Sequence, residues 1–380
     1  MRIGLFIERF DAARGGRERS TEQIARELVR RGHQVEVVCM AGDAPGEAAF
    51  PVAALGGSRL FRAAALRGFV AAAGARIRRY DIAHAMFPLP GAHVYQLRGG
   101  TLAGLRAAHL RRTNWLWRPV CRASWRLNRA RNLQARLERQ VLADPRTWCL
   151  PVSRMVAGEL ERYYGRTDRV RVVYNAVAGP AGPPPREQGL ALRRQLGLRP
   201  DDFVMLCPAT NYELKGVLEA IQAFARFHRR CPAGRSSYLV VLGSRDDAGY
   251  RHIISAMGLA GHVLLLPPAD DMLPLYAAAD AVVLLSWYDP CSRVVLEALA
   301  CGVPSITTRY NGASELLAEG AGLVVDSPRS RHQAAAAMAE LAEPRRRSVF
   351  AAACRPLAGR VDMARHVEAL LAVYEEILRS

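Results

Sequence analysis

Short apolar runs of strand type alternate with helix-patterned segments in both halves of this 380-residue chain, and that alternation restricts its fold more than any other feature. In the first half, Ile3-Gly4-Leu5-Phe6-Ile7 reads as a buried strand. A helix follows from about Ser20 to Arg31, Gly32 closes it, and Gln34-Val35-Glu36-Val37-Val38 begins the next strand. In the second half the strands are read at Phe203–Leu206, Tyr238–Leu242, Val263–Leu266, Ala281–Leu285 and Ser305–Thr307. Helical patterns over Val217–His228, Tyr250–Met257, Leu273–Ala279 and Val294–Ala300 separate them. Strands joined through helices run parallel, so both halves predict α/β doubly wound sheets with ligands at the carboxyl ends of the strands. Between them, Val177–Gly189 carries Pro180, Pro183, Pro184, Pro185 and three glycines, which suits neither a helix nor a central strand. The predicted layout is a first domain over 1–176, a linker over 177–189 and a second domain over 190–364. An amphipathic helix over 365–380, with Val367, Leu370, Leu371, Val373, Tyr374 and Ile377 on one face, packs back near the first domain.

With 50% hydrophobic and 23% charged residues the chain is able to build sizeable cores. No uncharged apolar run reaches the length of a spanning helix, because Arg67, Arg76 and Asp280 interrupt the best stretches. The apolar start Met1–Ile7 is too short for a signal-peptide core, so a cytoplasmic location is expected. Eight cysteines, at 39, 121, 149, 207, 231, 291, 301 and 354, lack the close pairing of a zinc site or a disulfide framework. The net charge of +18 calls for an anionic partner: nucleic acid, an acidic membrane surface or a phosphorylated substrate.

Of the 53 basic residues Lys215 is the single lysine, and it stands in Asn211-Tyr212-Glu213-Leu214-Lys215-Gly216, after a strand and before a helix. Chance survival at an exposed helix start is one explanation; a site that wants a compact ammonium is the other. The densest run is Tyr288-Asp289-Pro290-Cys291-Ser292-Arg293-Val294-Val295-Leu296-Glu297, where a strand ends, a turn follows and a helix begins near Ser292. The free amides of that helix start, at Ser292, Arg293 and Val294, suit an anion. Asp289 and Glu297 bracket the turn at two depths. Taken alone they read equally as sugar-hydroxyl acceptors or as a helix cap and a solvated helix residue.

Asp289 and Glu297, with seven residues between them and followed by Ala298-Leu299-Ala300-Cys301-Gly302-Val303-Pro304, resemble the paired-carboxylate motif of retaining glycosyltransferases of family 4, which have the GT-B fold of two Rossmann-like domains with a central cleft. Other pieces match in order: Gly15-Gly16 resembles the glycine-rich loop of the first domain, Val172–Val177 the crossover, Glu213-Leu214-Lys215-Gly216 the phosphate-binding lysine segment, and Asn311–Leu316 the stretch after the next strand. Within the family, Phe87–Tyr95 and Tyr288–Ser292 look closest to lipopolysaccharide core glucosyltransferases. The resemblance implies a nucleotide-sugar donor with its ribose on Glu297, its diphosphate on Lys215 and the helix start, and its sugar near Asp289. It also implies retention of anomeric configuration and a lipid-linked or lipopolysaccharide-core glycan as acceptor. Two departures stand out: Asp289 replaces the usual first Glu, and Ala209 or Thr210 replaces an Arg that many members place before the lysine. They leave open a second reading, a catalytically silent nucleotide-sugar-binding protein of the same fold.

No metal or other cofactor is expected, since a fixed ammonium and helix amides can stabilise a departing diphosphate. The pairs Asp201-Asp202, Asp246-Asp247 and Asp270-Asp271 read as turn and cap residues. His84 and His93 follow Asp81-Ile82-Ala83 and are expected near the site; His93 is a candidate for orienting the donor, beside an equal reading as a packed histidine. Finally, ten Arg, one acidic residue and Trp115, Trp117 and Trp125 fall between Arg106 and Arg139. That mixture suits a helix lying on anionic lipid at the inner face of the cell membrane, with Arg111, Arg112, Arg118 and Arg122 on phosphates. RNA could use the same chemistry, but no RNA- or DNA-binding motif is present and no nucleic-acid partner is expected.

Overall fold

The computed structural model describes residues 1–11, 16–42, 49–56, 62–178, 182–230, 236–243 and 248–379. The chain divides into two compact units, Met1–Ala178 with Met363–Ser380, and Gly179–Asp362. Each is built on one six-stranded parallel sheet.

In the first unit the strands are β1 (Arg2–Phe10), β2 (Gln34–Gly42), β3 (Val52–Ala54), β4 (Ile82–Ala85), β5 (Val94–Leu97) and β6 (Trp148–Pro151), in the order β3-β2-β1-β4-β5-β6. Leu5 faces helix Gly16–Arg30 and the C-terminal helix, while its neighbour Phe6 faces Phe69 and Ala73 on the other side. Both faces of the sheet are thus covered, as parallel strands require. β1 and β2 run on to the pair Phe10↔Gly42, beyond the run Ile3–Ile7 read from the sequence. Gly42 permits this, because a Cβ there would stand 2.0 Å from Phe10 O. The C-terminal helix, Met363–Arg379, buries Val367, Leu370, Val373 and Tyr374 in this unit's core.

In the second unit β7 (Phe203–Pro208), β8 (Ser237–Leu242), β9 (Val263–Leu266), β10 (Ala281–Leu284), β11 (Ser305–Thr308) and β12 (Gly322–Val325) lie in the order β12-β11-β10-β7-β8-β9. Met205 and Val283 pack on Ile221 and Phe224 on one face. Val204 and Val282 pack on Leu275 and Ala298 on the other. In both sheets the order reverses direction once, between β1 and β4 and between β10 and β7, and such a switch point leaves a crevice at the carboxyl ends.

The linker read over 177–189 is shorter than expected, because helix Arg186–Gln195 starts inside it. Gly189 is a packing glycine of that helix: a Cβ there would lie 2.3 Å from Ala277 O. Between β5 and β6 the chain leaves the sheet through helix Leu102–Arg112, a turn at Trp115–Trp117, and helices Arg118–Leu127 and Arg129–Ala143. Helix Arg118–Leu127 buries none of its residues. Among the described residues no helix is long and apolar enough to cross a membrane.

Candidate active site

At the switch point of the second sheet the chain leaves β7 through one turn of helix, Tyr212–Lys215, whose first amides are capped by Asn211: its Oδ1 accepts from Leu214 N at 3.0 Å. Gly216 ends that turn at φ +68°, and a Cβ there would stand 2.0 Å from Leu285 O. Only glycine allows so close an approach in a left-handed conformation. Trp287 N donates to Leu214 O at 2.9 Å, so the lysine segment is tied to the exit of the neighbouring strand β10.

The exit of β10 is held as firmly. Asp289 N donates to Tyr310 O at 2.9 Å, and Asp289 O accepts from Gly312 N at 2.8 Å. Thr308 Oγ1 donates to Ser286 O at 2.6 Å. Asn311, fully buried, links three elements: its Nδ2 donates to Thr307 Oγ1 at 3.0 Å, and its Oδ1 accepts from Ala313 N and from Ser292 N, both at 3.1 Å. Thr307 Oγ1 in turn donates to Leu284 O at 2.7 Å. A continuous chain of hydrogen bonds therefore runs from β10 through β11 to the start of helix Arg293–Ala300.

This scaffold brings Lys215 Nζ into a close ion pair with Asp289. Asp289 is buried and Lys215 partly exposed. Asp289 does not cap the helix, whose N-cap is Ser292 and receives no side-chain cap. Of the three amides expected to face an anion, that of Ser292 is already taken by Asn311. Arg293 turns back along its own helix to Glu297, with Nη2 at 3.4 Å from Oε1, and so orients that carboxylate. Glu297 Oε2 accepts from Tyr276 OH at 2.9 Å. Burial, and then the Glu297 charge, hold the Tyr276 hydroxyl well above its ordinary range, so it stays a donor. Burial and the same carboxylate push the Cys301 thiol up to about 11, so that thiol stays protonated at neutral pH. Sequence reasoning missed Asn311 Oδ1 and Tyr276; a lone polar residue after a strand was the available sign of the first, and nothing local marks the second.

In the first unit, Gly15 lies outside the described residues, and Gly16 is the exposed first residue of helix Gly16–Arg30. His93 is not brought to the carboxyl ends: it precedes β5, at the amino edge, and its Nδ1 accepts from Ala83 N at 2.9 Å. Burial lowers its pKa. A ring nitrogen that bonds a backbone amide of β4 serves the sheet. His84 lies within β4, fully buried, with Nδ1 2.5 Å from Tyr374 OH on the C-terminal helix. Burial depresses its pKa to about 3.

The basic segment sorts by exposure. Trp115 is 72% and Trp117 63% exposed, and Leu116, Val120 and Leu127 join them at the surface. Arg122 is exposed, but Arg111, Arg112 and Arg118 are half-buried, and Arg118 Nε donates to Leu110 O at 3.1 Å. Trp125 is drawn inward, with the Arg131 guanidinium 4.5 Å over its ring. Of the expected lipid contacts, then, Trp115, Trp117 and Arg122 are free to make them, whereas Arg111, Arg112, Arg118 and Trp125 are engaged in packing. Among the acidic pairs, Asp202 Oδ2 accepts from Arg199 N at 2.7 Å and Asp271 Oδ1 from Leu273 N at 3.0 Å, both turn contacts. Asp246-Asp247 lies outside the described residues. Among the described residues no three His, Cys, Asp or Glu side chains gather as a metal site.

The family model for glycosyl transferases group 1 matches residues 190–353, and that for glycosyltransferase family 4 matches residues 14–178. A D-inositol 3-phosphate glycosyltransferase of Acidothermus cellulolyticus is 30% identical over 229 residues, 58% of this chain and 50% of that protein. That of Salinispora arenicola is 32% identical over 236 residues, 58% of this chain and 52% of that protein. The chain spans about half the length of these curated relatives. Among solved structures, WaaG, a glycosyltransferase involved in lipopolysaccharide biosynthesis, superposes with a TM-score of 0.79 at 19% identity, covering 98% of this chain and 99% of WaaG. Anabaena HepE in complex with UDP-glucose superposes with a TM-score of 0.74 at 21% identity, covering 99% of this chain and 100% of HepE. At these identities the superpositions speak for the fold. Two family models that follow one another along the chain, and two switch-point sheets of the matching fold, lead to one conclusion: the chain belongs to the GT-B glycosyltransferases of group 1 and family 4.

Proposed function

We propose that the protein is a retaining hexosyltransferase that moves a sugar from a nucleoside-diphosphate donor to a phosphorylated, lipid-linked glycan. The observation that carries this reading is the Lys215–Asp289 pair at the switch point, where the turn after β7 is tied to the exit of β10. When the anomeric carbon–oxygen bond breaks, charge gathers on the leaving diphosphate. A fixed ammonium and the positive end of helix Arg293–Ala300 stabilise that charge without a metal. The acceptor hydroxyl adds to the anomeric carbon from the side of the leaving group, and its proton passes to the departing diphosphate oxygen. Glu297, steadied by Tyr276 and Arg293, accepts from the ribose hydroxyls, and Asp289 accepts from the donor sugar. A phosphorylated acceptor agrees with the excess of Arg and with relatives named for inositol phosphate. The exposed Trp115, Trp117 and Arg122 support a peripheral position at the inner face of the membrane.

A second reading, a silent sugar-nucleotide-binding protein, draws on the same pair, since Asp289 has a shorter reach than Glu and is occupied by Lys215. Thermal unfolding with UDP-glucose, GDP-mannose and ADP-glucose tests both. One selective donor raises Tm by mass action, and release of its nucleotide with a glycan acceptor separates the enzyme from the silent binder. No shift with any nucleotide sugar would overturn the donor assignment.

A further inference from the structure

Helices Leu102–Arg112, Arg118–Leu127, Arg129–Ala143 and Arg154–Tyr164 line a groove of about 310 Å³. Arg106, Arg126, Arg131 and Arg139 line it together with Trp125 and Tyr164, and no carboxylate does. Among the described residues none of these four arginines has an acidic partner within 4.0 Å, although Arg193 and Arg347 elsewhere in the chain pair with Asp280 at 2.9 Å and 3.2 Å. The nearest carboxylate along the helix, Glu138, is buried and already accepts from Leu102 N at 3.0 Å, from Tyr95 OH at 3.2 Å and from Tyr164 OH. It is withheld from the arginines. All four arginines are exposed and line one groove, so their positive potential adds there and favours an anion.

The groove is built rather than incidental. Asn128 Oδ1 accepts from Arg131 N at 3.0 Å and Asn132 Nδ2 donates to Arg126 O at 2.6 Å, which fixes the corner between its two helices. The Arg131 guanidinium lies 4.5 Å over the Trp125 ring, which holds its donors in place. The outer wall, helix Arg118–Leu127, carries Val120 at 55% and Leu127 at 81% exposure. Apolar side chains in the open beside a pocket of unpaired arginines match an amphiphile: chains on one side, a compact anion on the other.

We propose that this groove is a headgroup site for an anionic lipid, and that it takes a phosphomonoester. A monoester carries up to two charges and three acceptor oxygens, which suits forked guanidinium donors better than a diester with one charge. The site extends the membrane reading above, naming the lipid chemistry, yet it can be examined without a membrane.

Calorimetric titration with dihexanoyl phosphatidic acid, dihexanoyl phosphatidylglycerol and inorganic phosphate, all in monomeric solution, tests it. The wild type binds the phosphatidic acid at least about ten-fold more tightly than the phosphatidylglycerol, because it alone presents a monoester. The double variant Arg131→Gln, Arg139→Gln loses that preference, whereas Arg122→Gln, Arg136→Gln, which removes as much charge outside the groove, keeps it. Circular dichroism and Tm show that both variants fold. Equal loss in both variants, or unchanged preference in the first, overturns the site, and inorganic phosphate matching the phosphatidic acid overturns the lipid assignment. Sedimentation with phosphatidylcholine vesicles containing phosphatidic acid separates the two readings. Soluble lipid bound in the groove without vesicle binding supports the groove and counts against the membrane position alone.

Discussion

In the proposed mechanism Lys215 and Glu297 act at different moments, and single substitutions should show it. Lys215→Ala removes a preorganised charge from the leaving group and should cost roughly 100-fold or more in turnover. Its Tm should stay near that of wild type, because the lysine is partly exposed. Near-normal turnover would end its assignment. Glu297→Ala should weaken binding of the free nucleotide by on the order of 10-fold, since ribose bonds exist in the ground and transition states alike. It should also lower stability by about 1–3 kcal/mol, as the buried Tyr276 hydroxyl keeps only a long contact of 3.4 Å to Val294 O. Calorimetry of nucleotide binding and of unfolding reads both effects; unchanged nucleotide affinity would take the ribose away from Glu297.

Among the elements, the turn after β7 and the strand β4 each concentrate a testable cost. Gly216→Ala combines a left-handed backbone with a Cβ 2.0 Å from Leu285 O, so the turn must move. A loss on the order of 2 kcal/mol or more is expected, with turnover falling further than stability alone explains because Lys215 moves with it. A fully stable, fully active variant would show that the turn is not the lysine's support. His84 in β4 titrates near 6.5 when unfolded and near 3 when folded. Its neutral form is the folded one, so protons favour unfolding: stability is intact above about pH 6.5 and declines as pH falls toward 3. His84→Asn retains an acceptor for Tyr374 OH but does not titrate. It should flatten stability against pH between about 4.5 and 6.5, measured by urea unfolding at several pH values; an unchanged slope would place the effect on other histidines.

For the whole molecule, the charge of +18 and the exposed edge at Trp115–Trp117 make membrane recruitment measurable. The protein should sediment with anionic vesicles, bind neutral ones poorly, and lose much of the binding between about 0.05 and about 0.5 M salt. Arg122→Gln with Arg129→Gln should weaken it by ~1 kcal/mol per charge, and Trp115→Ala with Trp117→Ala should weaken it at high salt, where charge is screened. Equal vesicle binding by wild type and both variants would send these residues to another partner.

Much of this architecture was legible in the chain because periodicity and turn chemistry are local. The β/α alternation marked both sheets, the lone lysine of Glu213-Leu214-Lys215-Gly216 marked the turn after β7, and Asp289 with Glu297 marked the exit of β10. What the residues could not reveal depends on partners distant along the chain. His93 and Trp125 looked like site and surface residues, yet a backbone amide ten residues away claims one and Arg131 stacks on the other. The Ser292 amide looked free until Asn311, nineteen residues on, came to occupy it. Sequence alone determined which segments become strands, helices and turns, since those preferences arise within a few residues of backbone. Tertiary structure alone decided which polar groups remain available for a ligand, because a buried donor or acceptor takes whatever partner folding brings within about 3 Å.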